Sequence, residues 1–239
     1  MQCRLILSVV LAFVLYGAAG SLKAYATDEP GIRAGLQDQL RILLAQKNGR
    51  SSDPHFLVRL ADIYLDLGED VSVGTAKRRA AYEEGAKFAR QAIDLQEQNA
   101  DAHYLYAANL GSAAQLTGIM ASALTIRDLK HHLTRALGLN PDHAPALHMM
   151  GMMLEELPWF LGGDAASALT YLRRAVNVSP SYAHARLNLA KAYIKRNDSD
   201  SARRELDTIL NQPVRGDASI NDLRHREEAQ RLRDSLKGL

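Results

Sequence analysis

APALHMMGMMLEELPWFLGGDAASALTYLRRAVNVSP, residues 144–180, is the stretch that decides the fold. Its second half places Ala168, Leu172, Ala175 and Pro180 at successive offsets of 4, 3 and 5. Its first half places Leu147, Met150, Gly151 and Leu154 at helical spacing. At 3.6 residues per turn, each set falls on one face of a helix. Two helix backbones approach closely only where Gly or Ala sits between them, and large side chains then interlock around the contact. The stretch reads as a helix, a turn and a second helix folded back on the first, with proline closing it.

The same alternation recurs on both sides. Upstream, Leu57, Leu60, Ala61 and Tyr64 are followed by Gly85, Ala89 and Ala92. Next, His103, Tyr106, Ala107 and Leu110 are followed by Leu129, Leu133, Ala136 and Pro141. Downstream, Leu189, Ala190 and Tyr193 are followed by Ala202, Leu206, Ile209 and Pro213. Four helical hairpins are therefore expected over residues 53–213. Ahead of them, Ile32, Leu36, Leu40, Leu43 and Leu44 mark an amphipathic helix over residues 31–47, and NGRSSD (48–53) reads as a linker. Residues 27–52 thus form an N-terminal helix and linker. In residues 214–239, Ile220, Leu223, Ala229, Leu232 and Leu236 mark a last helix whose charged outer side suits the solvated cap of a stack.

Composition agrees. The chain has 239 residues, 47% hydrophobic but only 6% aromatic, which favours packed helices over sandwiches and barrels. Residues 1–26 read as a secretory signal peptide: Arg4, an apolar run over 5–15, then Ala24-Tyr25-Ala26 as a cleavage site. An uncleaved anchor is the alternative. Cleavage would remove Cys3, the only cysteine, together with Arg4 and Lys23, leaving 27 basic against 27 acidic residues. These readings predict a protein secreted across the inner membrane, periplasmic, with no membrane span after signal cleavage. The balanced charge points away from nucleic acid.

On the small-large-small-proline pattern, the chain resembles tetratricopeptide-repeat (TPR) proteins from residue 54 to 213. The resemblance implies an all-α, TPR-like helical-hairpin solenoid of about ten helices, right-handed, with N- and C-terminal covering helices. Against a repeat length of about 34, the spacings here run long. The surplus falls between the first and second helices of a unit, so it either lengthens helices or projects from one edge of the array. The turn LPWFLGGD (157–164) further resembles that of the periplasmic T-component proteins of TRAP transporters. That likeness implies a ligand-handling or adaptor protein, assisting transport.

The turn has its own physical reading. Pro158 ends one helix, Gly162 and Gly163 permit left-handed backbone, and Asp164 is placed to cap the next helix. Trp159 and Phe160 are the chain's one adjacent aromatic pair. They read first as a plug folded onto the repeat, and second as a docking knob or cavity mouth.

No Gly-rich phosphate loop, HExxH or G-x-S-x-G is found, and Glu83-Glu84 and Glu155-Glu156 are adjacent on helices, where side chains diverge. No catalytic residues, cofactor or metal are expected. His148, Met149, Met150, Met152 and Met153 share one helix. A soft ion is conceivable there, but adaptable packing is the simpler reading. In such arrays the first helix of each unit lines the concave face. By register that face presents Arg59 and Asp62, then Tyr104 and Ala108, then His148, Met149, Met152 and Glu155, then Asn188, Lys191 and Lys195. Its apolar middle and basic end suit a small apolar or amphipathic ligand with an acidic end, or a partner's peptide. A purely structural scaffold using the inserted edge is the alternative.

Overall fold

The computed structural model describes residues 29–71, 74–117, 119–213 and 220–236. Among these are ten α-helices: α1 (Glu29–Arg50), α2 (Pro54–Asp66), α3 (Thr75–Leu95), α4 (Ala100–Thr117), α5 (Ile119–Leu139), α6 (Ala144–Glu156), α7 (Ala165–Val178), α8 (Ala183–Lys195), α9 (Ser199–Asn211) and α10 (Ile220–Ser235). Helices α2/α3, α4/α5, α6/α7 and α8/α9 pack as four antiparallel hairpins, with α1 against α2 and α10 against α8 and α9. The fold is an all-α helical-repeat solenoid.

The starts of the helices follow from their caps. Asp53 accepts from the His55 and Phe56 amides, Asp164 from Ala166 and Ser167, and Asp198 from Ser201. His143 caps α6 through Nδ1, which accepts from the Ala146 amide at 3.1 Å. Its other nitrogen donates to Asp101 at 2.9 Å, which ties the start of α6 to the start of α4. The linker expected over 48–53 is shorter than that. Helix α1 continues through Arg50, and only Ser51 and Ser52 separate it from the Asp53 cap, which Arg50 also grips.

The small positions do what the pattern requires. Leu57, Ala61, Ala89 and Ala92 are fully buried in the first unit, as are Ala168, Leu172 and Ala175 in the third. A Cβ on Gly151 would lie 2.8 Å from Leu172 Cγ, so the α6–α7 contact depends on glycine. Between α2 and α4 the contact is polar. Asn109 is fully buried, and its Nδ2 donates to the Ala61 and Leu105 carbonyls at 3.1 and 2.9 Å.

The surplus residues are absorbed differently in each unit. In the first, a π-turn (Leu67–Val71) and the 21-residue α3 take them up. In the second, α4 and α5 simply run to 18 and 21 residues. Among the described residues, the third unit alone carries a non-helical projection, with a single 3-10 turn (Trp159–Leu161). The edge is therefore one projecting turn beside longer helices, rather than a series of inserted loops.

That turn is tightly built. Gly162 takes a φ of 91°, and a Cβ on Gly163 would overlap the Leu157 carbonyl. Gly163→Ala should therefore lower thermal stability by about 1–2 kcal/mol, read as a lower melting temperature. Gly35→Ala, where no atom crowds the site, should not.

Candidate functional site

The site is the inner face of the array, built by α2, α4, α6 and α8 and closed by α10. Asn221, in the first turn of α10, donates from Nδ2 to Glu69 Oε2 on the π-turn at 2.7 Å, across 152 residues of chain. The last helix thereby reaches the first unit, and the inner face becomes a lumen bridged by α10 at its N-terminal end.

Tyr104 from α4 and Tyr182 at the start of α8 stand in it. Burial raises the Tyr104 hydroxyl well above the usual phenol range, with Tyr182, Glu69, Asp62 and Asp66 adding to the shift. Burial likewise pushes Tyr182 up, with Glu69 and Asp222 adding. Carboxylates of α2, the π-turn and α10 thus add to burial in holding one or other of these phenols neutral. The Asp62 carboxyl is itself raised, by burial first and then by repulsion from Asp101. Beside them a hollow of about 370 Å³ opens between α1 and α2, lined by Gln39, Ile42, Leu43 and Gln46 on one wall and Arg59, Asp62, Ile63 and Asp66 on the other.

The remaining groove residues sit differently from their register. His148 and Asn188, expected to be exposed, are buried. Asn188 Nδ2 donates to His148 Nε2 at 2.8 Å, which makes that nitrogen the acceptor, so His148 Nδ1 carries the proton and faces Tyr182 Oη at 3.2 Å. His148 also meets His184 edge-on, and His184 stacks on His225 of α10 with ring centroids 4.1 Å apart. The buried His148 and the half-buried His184 and His225 bind α6, α8 and α10 together, which is why the flanking positions closed up. Met149 is half-buried and abuts Gly111, and Met152 packs into the C-terminal core. The methionines therefore act as packing. Among the described residues, no three His, Cys, Asp or Glu side chains converge as a metal site.

The expected basic end is not free charge. Lys191 pairs with Glu228 at 2.8 Å, Lys195 with Glu156 at 2.7 Å, and Arg196 with the nearly buried Glu155 at 2.7 Å. The C-terminal end of the face is thus neutralised by ion pairs rather than basic. Asp66, Glu69, Tyr182, His184, Asp222 and His225 were not among the expected groove residues. The first hairpin's alternation flags Asp62 but gives no sign that the chain's far end returns to Glu69.

The inserted turn is not a packing plug. Trp159, Phe160 and Leu161 are all exposed, while Pro158 is half-buried and Asp164 is engaged as the α7 cap.

Comparisons with known proteins place the chain. Residues 32–156 match the family described as Regulator of microtubule dynamics protein 1-3, and residues 160–224 match a tetratricopeptide repeat model. Regulator of microtubule dynamics protein 1 of Bos taurus is 29% identical over 178 residues, covering 68% of this chain and 56% of that protein. Regulator of microtubule dynamics protein 3 of Bos taurus is 26% identical over 199 residues, covering 77% and 42%. The chain spans about half the length of these curated relatives. The solved structure of a thermophilic TPR protein of Thermus thermophilus superposes with a TM-score of 0.61 at 16% identity, covering 84% of this chain and 98% of that one, and supports the fold alone.

These findings correct two expectations. The relatives are eukaryotic regulators, from organisms such as Bos taurus and Mus musculus, so the periplasmic, secreted localisation is overturned. The segment read as a signal peptide lies outside the described residues. The likeness to TRAP T-components is not what the comparisons return; the family match is a different one. No helix among the described residues is long and apolar enough to cross a membrane. With the match to residues 32–156 spanning just over half of its 239 residues, the chain belongs to the regulator of microtubule dynamics protein 1-3 family, on a tetratricopeptide-repeat fold.

Proposed function

We propose that this chain is a non-catalytic binding scaffold that seats a basic polypeptide segment of a partner on its acidic inner face. Through that contact it would take part in controlling microtubule dynamics, as the names of its relatives state for them. The observation that supports this reading is the Asn221–Glu69 bond, which brings α10 and the π-turn together, with Asp62 and Asp66 of α2 on one wall of the α1–α2 hollow. Half-buried phenols give a segment flat contact area at low entropic cost, and carboxylates select cations.

The test uses a fluorescein-labelled Lys/Arg-rich peptide and a Glu-rich one of equal length. The basic peptide should bind, with affinity falling as salt rises, and the acidic peptide should not. Reversing two charges with Asp62→Lys and Asp66→Lys should weaken binding by at least about tenfold. Equal binding of both peptides, or no effect of the reversals, would sink the reading. Tubulin assembly followed by turbidity tests the wider role, which is dropped if neither the rate nor the extent changes when the chain is added.

A second reading rests on the hollow between α1 and α2. At about 370 Å³ it lies within the range of small-molecule sites, and its mixed lining fits an amphipathic ligand. Native mass spectrometry of gently purified chain separates the two readings by the mass it retains.

A further inference from the structure

Among the described residues, the two most exposed large apolar side chains are Trp159 at 85% and Phe160 at 62%, and Leu161 at 44% completes their 3-10 turn. Three residues make one 3-10 turn, so these three point outward about 120° apart. They form a convex knuckle, with Trp159 and Phe160 edge-to-face at 5.9 Å.

The knuckle is not a slack loop. Leu161 and Gly163 both donate to the Pro158 carbonyl, at 2.9 and 3.0 Å. Gly162 donates to Trp159 at 3.1 Å, and Asp164 to Leu154 at 3.0 Å. Four consecutive amides thus find acceptors within the turn and the helix before it. At its base the charges are paired, Glu156 with Lys195 and Glu155 with Arg196, and the Asp164 carboxylate is taken up by the α7 amides and Ser167.

The neighbouring tip continues the pattern. Lys130 of α5 comes within 3.8 Å of a Cβ built on Gly162, so the second unit lies beside the knuckle. From residue 102 to residue 126, across the α4–α5 tip, the sequence holds no Asp, Glu, Lys or Arg. The corresponding turns of the first and fourth units are charged, through Glu69 and Asp70 and through Arg196 and Asp198. Lys130 is thus a cation beside the knuckle, and the stretch free of Asp, Glu, Lys and Arg ends before it, at residue 126.

We infer that this edge docks on a lipid surface, with Trp159 and Phe160 entering the interfacial layer of the bilayer. A convex knuckle offers no groove or flat face to a folded partner, whereas a leaflet closes around it. The amides of Leu161 to Asp164 are satisfied within the turn and the helix before it, so that part of the backbone enters the layer already paired. Tryptophan in particular favours the depth where ring and headgroup meet. With Glu155, Glu156 and Asp164 engaged at its base, no carboxylate there repels a headgroup, and the aromatic pair itself carries the contact with neutral lipid. This inference is independent of the peptide-binding reading, because the knuckle is outside the lumen.

Trp159 is the chain's only tryptophan, so its emission reports the contact directly. Full-length chain is titrated with phosphatidylcholine vesicles, then with vesicles also holding phosphatidylserine. Emission should shift to the blue on both, and brominated lipid should quench it. Phe160→Asp should cut the fraction floating with vesicles by at least about tenfold, with unchanged circular dichroism because the residue is exposed. Emission indifferent to vesicles overturns the inference. So does a blue shift that grows with protein concentration in the absence of lipid, which would assign the knuckle to a second copy of the chain. A shift that appears only on anionic vesicles and vanishes in high salt would assign the contact to surface charge, and overturns it too.

Discussion

Between about pH 7.5 and pH 5 the folded chain should lose on the order of 4 kcal/mol of stability from His132 and His148 alone. Both are buried. Burial lowers His132 to about 4, with repulsion from His103 and His131 adding, and lowers His148 to about 3, with His225 and Lys191 adding. An unfolded histidine titrates near 6.5, so below that pH the unfolded chain binds protons that the native chain refuses. The stability is whole above 6.5 and falls as pH drops from there toward 4 for His132 and 3 for His148. Each group contributes about 1.4 kcal/mol per pH unit within its window.

The geometry leaves no room for the proton. His103 Nε2 donates to the Glu97 carbonyl at 2.9 Å, so its Nδ1 must accept from His132 Nδ1 at 2.8 Å. Both nitrogens of that contact cannot carry hydrogen. His148 uses Nε2 to accept from Asn188, and charging it would break that bond. Burial also lowers His103, His184 and His225, which deepens the loss. The charges around these groups divide. Asp222 and Glu228 favour a charged His225 and Lys191 and Arg224 oppose it; Asp128 favours a charged His132 and Arg90 opposes it. Asp62, raised by burial and by repulsion from Asp101, has the opposite sign, gains native protons as pH falls and offsets part of the loss. A drop in melting temperature of about 8–16 °C is expected over that interval. His225→Phe should keep the stack on His184, remove the buried and unpartnered Nδ1, and flatten the pH dependence. Equal melting temperatures at the two pH values would sink this account.

That array marks where the sequence stops being legible. The hairpins can be read because close backbone approach restricts residue type, and Gly85, Gly151, Ala168 and Ala175 carry that restriction in plain view. The Asp164 cap is local and equally plain. The exposure of His148 and Asn188 is not local, since it depends on how nearly α6, α8 and α10 close together, which the register of one helix does not contain. The meeting of Asn221 with Glu69 depends on curvature accumulated over four units. The neutralising of Lys191 and Lys195 follows from the same packing of α6, α8 and α10, through Glu228 and Glu156. The plug reading of Trp159 fails for a related reason. Whether an aromatic pair folds inward depends on space beneath the turn, and Gly163 against the Leu157 carbonyl leaves none.

Gly85→Ala should destabilise the chain by about 3 kcal/mol, although alanine is the better helix former by about 1 kcal/mol. A Cβ at Gly85 on α3 would overlap the amide of Asn109, which is fully buried on α4. Moving that amide breaks its two bonds, to the Ala61 carbonyl on α2 and the Leu105 carbonyl on α4. Each is worth about 1 kcal/mol, and stranding the displaced group in the core costs about 1–3 kcal/mol more. Asn109→Ala alone should also destabilise, by about 2 kcal/mol, since it loses both bonds, leaves a small cavity and removes an oxygen that has no partner in the native fold. The decisive comparison is the double variant. With Asn109 reduced to alanine, the space facing Gly85 is open, so Gly85→Ala in that background should add helix propensity and fill part of the cavity. Its effect should change sign, from a loss of about 3 kcal/mol to a gain of up to about 1 kcal/mol, measured as urea unfolding at constant m. If the two substitutions simply add, the contact between Gly85 and Asn109 does not hold α2, α3 and α4 together, and the polar core of the first two units has been misassigned.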